Sequence, residues 1–246
     1  MKRAMISVLL ALSVAMAGAQ DFKAMLREID SLGDFGGQDF TATYTIVSEK
    51  PGQKPETVQV RVYRRDERDQ FVFLFLKPER QKGQGYLKVD DNVWFYDPES
   101  GEFAKSTIKE SVQDSEARNS DLSRMSYADD YDIEKSSEGK LGAYDVWILE
   151  LVSKDSEVSW QRVRLYVRKD KPLVLKEEDF SVSGRLMRTV SFPPSYISAG
   201  GKQIPSRILI VDEINTGEKS QLTLSDVAVG RLPDDTFTES FLKRAR

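Results

Sequence analysis

The side chains that most often carry chemistry are thinly represented in this chain. Among its 246 residues there is no His and no Cys. That removes the commonest general base, the thiolate nucleophile and the preferred ligands of zinc and copper. A Ser-His-Asp triad and any disulfide are excluded with them. Carboxylates and lysines remain. Two acidic clusters stand out, Asp129-Asp130-Tyr131-Asp132 and Asp90-Asp91-Asn92. Neither has the spacing of a calcium loop, with its central Gly and distal Glu. The second falls where a hairpin turn is expected, and Asp and Asn favour turns for their own reasons. Glycosidase chemistry requires two carboxylates facing each other across a cleft, which no local spacing encodes. Gly83-Gln84-Gly85 precedes a strand rather than a helix and lacks the Lys-Ser/Thr or third Gly of phosphate loops, so it reads as a turn or bulge. The arginines Arg61, Arg64, Arg65 and Arg68, and the alternating Arg162, Arg164 and Arg168, read as solvated strand faces, with an acidic partner or lipid headgroups as the alternative. A formal net charge of -4 supplies no general attraction to nucleic acid. The expectation is a protein that binds rather than catalyses, without catalytic residues, metal or cofactor.

The elements that must do the binding follow from periodicity. MKRAMISVLLALSVAMAGAQ has a basic start at Lys2 and Arg3, an apolar run, and Ala17-Gly18-Ala19 as a cleavage signal, so residues 1–19 read as an export leader. Its apolar run is shorter than the roughly 20 residues that cross a bilayer. Residues 20–246 read as one domain, because no Pro-, Gly- or Ser-rich linker divides them. Phe22, Met25, Leu26, Ile29 and Leu32 recur at helical spacing, with Asp21 as cap and Gly33 as stop. Thereafter the period is two. Phe40, Ala42, Tyr44 and Ile46 alternate with threonines, and Val58, Val60 and Val62 alternate with polar residues. The chain continues as about eleven strand segments joined by hairpin-like turns, which implies an antiparallel meander. Residues 109–139 break the pattern and read as loop or short helices, a long connection of the kind that often acts as a lid. LPDDTFTESFLKRAR reads as a loop and a short helix with Phe241 and Leu242 on its dry side.

One strand is apolar on both faces. In QFVFLFLKPERQKGQGY, Phe71, Phe73 and Phe75 share one face and Val72, Leu74 and Leu76 the other. With few helices available to cover a large sheet, the expected fold is mainly β: an unclosed, strongly curved antiparallel half-barrel with an N-terminal helix and a helical or loop lid. Such a sheet either fills its interior with side chains or leaves a pocket. The candidate wall of that pocket is Phe40, Tyr44, Val60, Val62, Phe71, Phe73, Phe75, Trp94 and Tyr96. Alternation alone does not decide which face of residues 71–76 lines it.

Three stretches resemble the LolA-like family of outer-membrane lipoprotein-sorting proteins, and within it the TP0789-type branch. They are the phenylalanine-rich strand followed by Lys77-Pro78 and residues 83–87, the segment NVWFYDPESGEFAKS, and SDLSRMSYADD. The third departs from the pattern, with Leu122 where an aromatic is common and Arg124-Met125 inserted. The ending LPDDTFTESFL is similar as well. The resemblance implies an unclosed barrel whose concave side takes the acyl chains of lipoproteins or another lipid and shields them across the periplasm. It implies an inner-membrane release complex and an outer-membrane acceptor as partners, and a monomeric carrier that is not itself lipidated. No position in these stretches matches the functional cavity arginine of the main carriers. The lid candidates under this reading are Phe22, Met25, Leu26 and Ile29 on the first helix, with Leu122 and Met125 in the mid-chain segment. The alternative is a sensor module of the same shape that recognises an envelope protein or peptide and transports nothing.

Overall fold

The computed structural model describes residues 20–124 and 126–245, so the leader read at 1–19 and the lid candidate Met125 lie outside the described residues. Helix α1 (Phe22–Ser31) forms where its stripe requires. The Asp21 carboxylate accepts the Ala24 N–H at 2.9 Å, and Met25, Leu26 and Ile29 are buried. Strands β1 (Phe40–Glu49), β2 (Glu56–Arg65), β3 (Gln70–Lys77), β4 (Gly85–Val89), β5 (Asn92–Asp97) and β6 (Glu102–Ser106) run as a meander. A short helix α2 (Tyr127–Asp130) leads into β7 (Tyr131–Leu141), β8 (Tyr144–Ser153), β9 (Arg162–Arg168), β10 (Val174–Phe180) and β11 (Leu186–Ser191). A small hairpin, β12 (Tyr196–Ala199) and β13 (Lys202–Pro205), precedes β14 (Arg207–Asp212), β15 (Lys219–Val229) and the terminal helix α3 (Glu239–Arg244). Thirteen strands form one antiparallel sheet in the order β6-β5-β4-β3-β2-β1-β15-β14-β11-β10-β9-β8-β7. Both β6 and β7 are edges, so the sheet curls without closing. The expected half-barrel is the observed fold.

Register fixes what each face carries. Ala42, Val62, Phe73, Tyr86 and Phe95 stand opposite one another across successive strands and form one row of the concave face. Tyr63, Val72, Leu87 and Trp94 form the neighbouring convex row. Phe71, Phe73 and Phe75 therefore face inward, whereas Val72 and Leu74 pack under Phe237 and Leu242 of the C-terminal segment. Gly85 lets that segment approach. A Cβ there would lie 2.7 Å from Leu242 and 2.5 Å from the Phe73 carbonyl oxygen. The second greasy face of β3 is thus covered by the chain's own terminus.

Two expectations about elements need correction. Residues 131–139, read as loop or helix, belong to edge strand β7, and residues 196–205 form a hairpin that was not anticipated. In β7 only Tyr131 and Ile133 pack on the core, and the following residues 134–138 are exposed and largely charged or polar, so little apolar alternation was there to read. The hairpin is too short for its period to register. The arginine arrays are not free cations. Arg162 pairs with Glu134, Arg164 with Glu150 and Glu178, and Arg168 with Asp170, while Arg61 donates to Thr41, Thr43 and the Asp226 carbonyl. Strand pairing sets Arg164 opposite Glu150 and Glu178 and Arg61 opposite Thr43, which a linear sequence does not display, whereas Asp170 lies two residues from Arg168.

The convex cover is fastened by Arg65, which is 1% exposed. Its guanidinium donates to both Asp39 carboxylate oxygens at 3.0 and 2.8 Å, to the Leu232 carbonyl at 2.6 Å and to Asp234 at 2.5 Å, and lies over the Phe237 ring. Asp39 also accepts the Leu232 N–H at 2.7 Å. Removing the cation would leave the Asp39 charge buried and unpaired. We predict that Arg65→Met lowers the unfolding free energy by about 3–5 kcal/mol, whereas Asp234→Ala, at the exposed end of the same network, costs about 1 kcal/mol or less. Denaturant titration reads both, and equal effects would show that the Asp39 pairing does not organise this joint.

Candidate functional site

The concave face is not open. Residues 107–124 fold back into it as a compact plug. Within the plug the Val112 N–H donates to the Ala117 carbonyl at 2.7 Å and the Asn119 N–H to the Glu110 carbonyl at 3.0 Å. Its apolar side chains, Ile108, Val112, Ala117 and Leu122, pack into the same core as the phenylalanine row, and Leu122 is fully buried. Its other contacts are polar. The Gln113 side chain bonds to Gln81 at 3.0 Å and Gln84 at 3.2 Å, the Glu116 N–H donates to the Ser220 hydroxyl at 3.0 Å, and Ser120 meets Ser159 at 2.8 Å. The segment is held both by these buried side chains and by specific polar bonds.

The strongest of those bonds come from Arg188 on β11. It donates to the two Asp121 oxygens at 2.7 Å each, to the Glu116 carbonyl at 3.2 Å and to Asp179 on β10 at 2.5 Å. Asp121 in turn accepts the Arg118 N–H at 2.7 Å. The fork-shaped pairing with Asp121 is the tight bidentate form. Next to it lies Glu177, also on the concave side of β10, which accepts from the Tyr127 hydroxyl. Burial first, and then the neighbouring Asp179, push the Glu177 carboxyl well above the usual range. Arg118 lies 3.8 Å over the Trp160 ring. Arg188 thus pairs with both Asp121 and Asp179, and Arg118 lies beside it over the same Trp160 ring.

A cavity of about 470 Å³ remains between the plug, α2, β10–β11, the 155–160 loop and the β2–β3 turn. Phe71, Ile108, Val158, Trp160, Val190, Phe192 and Ile208 supply its apolar lining, and the other lining residues are polar or charged, Arg188, Asp121 and Glu177 among them. Helix α1 seals the neighbouring region. Met25, Leu26 and Ile29 pack on Leu149, Leu151 and Leu165, and Phe22 meets Trp147 edge-on at 5.1 Å. The buried Asp30 carboxylate accepts the N–H groups of Tyr127 and Ala128 at 2.9 and 2.8 Å, which locks α1 to α2. Lys202 of the β12–β13 hairpin donates to the Ser31 carbonyl at 2.6 Å, so the hairpin holds the other end of α1.

The sequence-predicted wall residues are distributed as follows. Phe40, Tyr44, Val60, Val62, Phe71, Phe73 and Phe75 share the concave core with the plug, and of these Phe71 borders the cavity. Trp94 and Tyr96 stand on the convex face, a correction to their expected place on the wall. Trp94 faces Leu87 across the register, and Tyr96 packs with Val72, Leu74 and Leu242. The lid candidates Phe22, Met25, Leu26 and Ile29 cover β8 and β9, and Leu122 is a plug residue. Sequence reading missed Arg188, Asp121, Asp179, Glu177 and Trp160. One signal was present: Asp179 and Arg188 flank the turn in DFSVSGRLMR, and hairpin pairing places them opposite each other. Among the described residues no cluster of acidic side chains is arranged to hold a metal ion, and no helix is long and apolar enough to cross a membrane.

A family model described as "-like: Uncharacterized protein" matches residues 67–244. No curated protein is significantly similar to the chain. Among solved structures, the fold matches a LolA superfamily protein from Nitrosomonas europaea with a TM-score of 0.79, at 24% identity over 89% of this chain and 98% of that one. It matches a Vibrio parahaemolyticus domain assigned to outer membrane lipoprotein sorting with a TM-score of 0.76, at 20% identity over 90% and 98%. A DUF1329 family protein from Desulfovibrio piger follows, with a TM-score of 0.74 and 21% identity over 89% and 97%. At these identities what is shared is the fold.

The plug's far anchor responds to pH. Burial first, and then the nearby Asp212 carboxylate, push Glu116 up to about 7, with Glu218 adding to the effect and Lys50 opposing it. Asp212, despite its own burial, is held below the usual range by the Asn215 and Ile214 N–H groups and by a bond from Glu116. The folded state therefore binds more protons than the unfolded chain between the ordinary value of 4.5 and about 7, and Glu116 lowers stability progressively as pH rises through that window. We predict that Glu116→Gln is more stable than the parent above pH about 7, and that the difference fades below about 4.5. Thermal midpoints measured across the window test this, and a pH-independent difference would refute it.

Proposed function

The chain belongs to the family matched over residues 67–244 and carries the LolA-like fold, and from that premise we propose that it is an exported, periplasmic carrier of lipid. In this reading it takes the acyl chains of lipoproteins, or of another lipid, into the concave side and delivers them towards the outer membrane. It receives cargo from an inner-membrane release complex and passes it to an outer-membrane acceptor. It uses no covalent chemistry.

One observation carries the reading. The inward row of β1–β5 shares one core with Ala199 and Ile204 of the β12–β13 hairpin and with Ile108, Val112, Ala117 and Leu122 of a plug that is also fastened by polar bonds. A surface that must be hidden when empty and offered when cargo arrives needs a removable cover. Each methylene transferred from water contributes about 0.8 kcal/mol, so an acyl chain can offset the plug's small apolar contact, while the polar anchors find water outside. In this scheme Arg188 acts as the catch, and the Phe73–Phe75 wall is the surface exposed when Asp121 leaves it.

The test uses the protein lacking its leader, purified without detergent. Native mass spectrometry of that material should find bound lipid. A neutral naphthylamine probe should brighten on addition, and Asp121→Ala, which removes the bidentate pair, should speed its uptake about tenfold or more. Protein that carries no lipid and gives no probe signal in either form would sink the carrier reading.

A further inference from the structure

Strand β10 places two buried carboxyl groups side by side on its concave face, Glu177 and Asp179. Across the register Asp179 meets Arg188 and Val163, whereas Glu177 meets only Val190 and Leu165. Arg188 gives its Nε–H to Asp179 Oδ2 and its other N–H groups to the plug, so that cation is already committed. Arg118 belongs to the plug and lies over Trp160, and the Arg124 charge acts on Asp30. The other titratable neighbours are Asp121 on the plug, Tyr127 on α2 and Tyr131 at the start of β7.

Hydrogen bonding leaves one place for a proton. Asp179 Oδ1 is buried and accepts from no N–H or hydroxyl among the described residues. The Tyr127 hydroxyl donates to Glu177 Oε2. The Glu177 carboxyl also bonds to Asp179, and two carboxyl groups bond to each other only when one carries a proton. A proton on Glu177 donated to Asp179 Oδ1 satisfies the orphaned acceptor at a place water does not reach. Two ionised carboxylates there would repel each other out of water.

We propose that Glu177 and Asp179 share one proton while the plug is seated, and that losing it releases the plug, so that the Arg188 catch is a proton-gated latch. With the proton in place, Arg188 answers one carboxylate on the sheet and gives its fork to Asp121. Once Glu177 ionises, it competes with Asp121 for the same N–H groups. Departure of Asp121 in turn frees that fork for Glu177 and admits water, so the seated plug binds one more proton than the released one. Burial, and then Asp179, hold the Glu177 carboxyl well above 4.5 in the closed state. Closure is therefore fully supported below 4.5 and lost as pH rises through the closed-state value. Within that window the opening constant rises about tenfold per pH unit. The latch rests on the removable-plug reading and adds what governs it.

The reporter is the backbone N–H at position 116, which bonds across to the Ser220 hydroxyl and exchanges with solvent once the plug leaves. Its hydrogen exchange is followed by NMR in the protein lacking its leader, with the intrinsic pH dependence of exchange divided out. The background is Glu116→Gln, which removes the plug's own raised carboxyl. The opening constant should rise about tenfold per pH unit. Adding Glu177→Gln, which keeps a donor for Asp179 and an acceptor for Tyr127 but cannot ionise, should flatten that slope with the plug still seated. A second readout needs no change at 177: with glutamate carboxyl carbons labelled, one signal should stay at its protonated position after the others have ionised. Opening that ignores pH, or a Glu177 carboxyl that titrates with the rest, would overturn the latch and leave the carrier reading standing. A plug that stands open at every pH in Glu177→Gln would overturn it too, because the seat would then require the charge. If position 116 exchanges only with global unfolding, the plug is fixed, and the latch and the removable cover both fail.

Discussion

The interior of this protein is organised around one guanidinium. Arg188 is 5% exposed and sits between two carboxylates that belong to different parts of the fold, Asp179 on the sheet and Asp121 on the plug. Desolvation opposes its charge, but the two carboxylates outweigh that and hold it firmly protonated. A buried ion pair of this kind contributes little net stability compared with a packed apolar substitute, yet breaking one side of it is costly. That asymmetry suits a joint whose task is to specify one arrangement rather than to maximise stability. With the joint made, Leu122 and Val112 are seated against the phenylalanine row. Without it, the plug has little apolar contact to keep it there.

The outer face follows the same logic with a different arginine. Val72 and Leu74 would be exposed on a strand whose inner face is already committed, and the C-terminal segment covers them because Arg65 and Asp39 fix its path. The two covers differ in composition. The outer one brings Phe237, Phe241 and Leu242 and reads as permanent structure. The inner one is polar around its rim. Strand β3 is apolar on both sides because its inner face packs in the concave core and its outer face lies under the C-terminal segment.

Much of this could be read from the residue pattern. The period of two in β1 to β3 predicted which residues share a face, and the register confirms the separation of Phe71, Phe73 and Phe75 from Val72 and Leu74. The N-terminal helix was legible because its stripe and its Asp21 cap agree. What resisted reading has a common cause. Trp94 and Tyr96 were grouped with the inner wall because aromatic character does not reveal which way a strand faces, and one residue of register reverses it. Strand β7 showed little alternation because only its first residues, Tyr131 and Ile133, pack on the core. The Arg188 network joins positions 67 residues apart in one pairing and 9 in another. Only the hairpin member of that set had a local signature, and nothing in SDLSRMSYADD marks Asp121 as the residue that crosses the barrel to meet it.

Under the proposed carrier role, the plug also bears on the thermodynamics of loading. A carrier with an empty apolar trough would bury new greasy surface on binding, and its affinity would change steeply with temperature through a large negative heat-capacity change. Here the wall is already dry before cargo arrives, because Ile108, Val112, Ala117 and Leu122 occupy it. Loading becomes an exchange of one apolar contact for another. The net surface leaving water is mainly that of the incoming chain, reduced by the plug surface that returns to solvent. Capture then depends less on the heat capacity of hydration than on the balance of polar bonds broken at the plug, so its strength is comparatively insensitive to temperature.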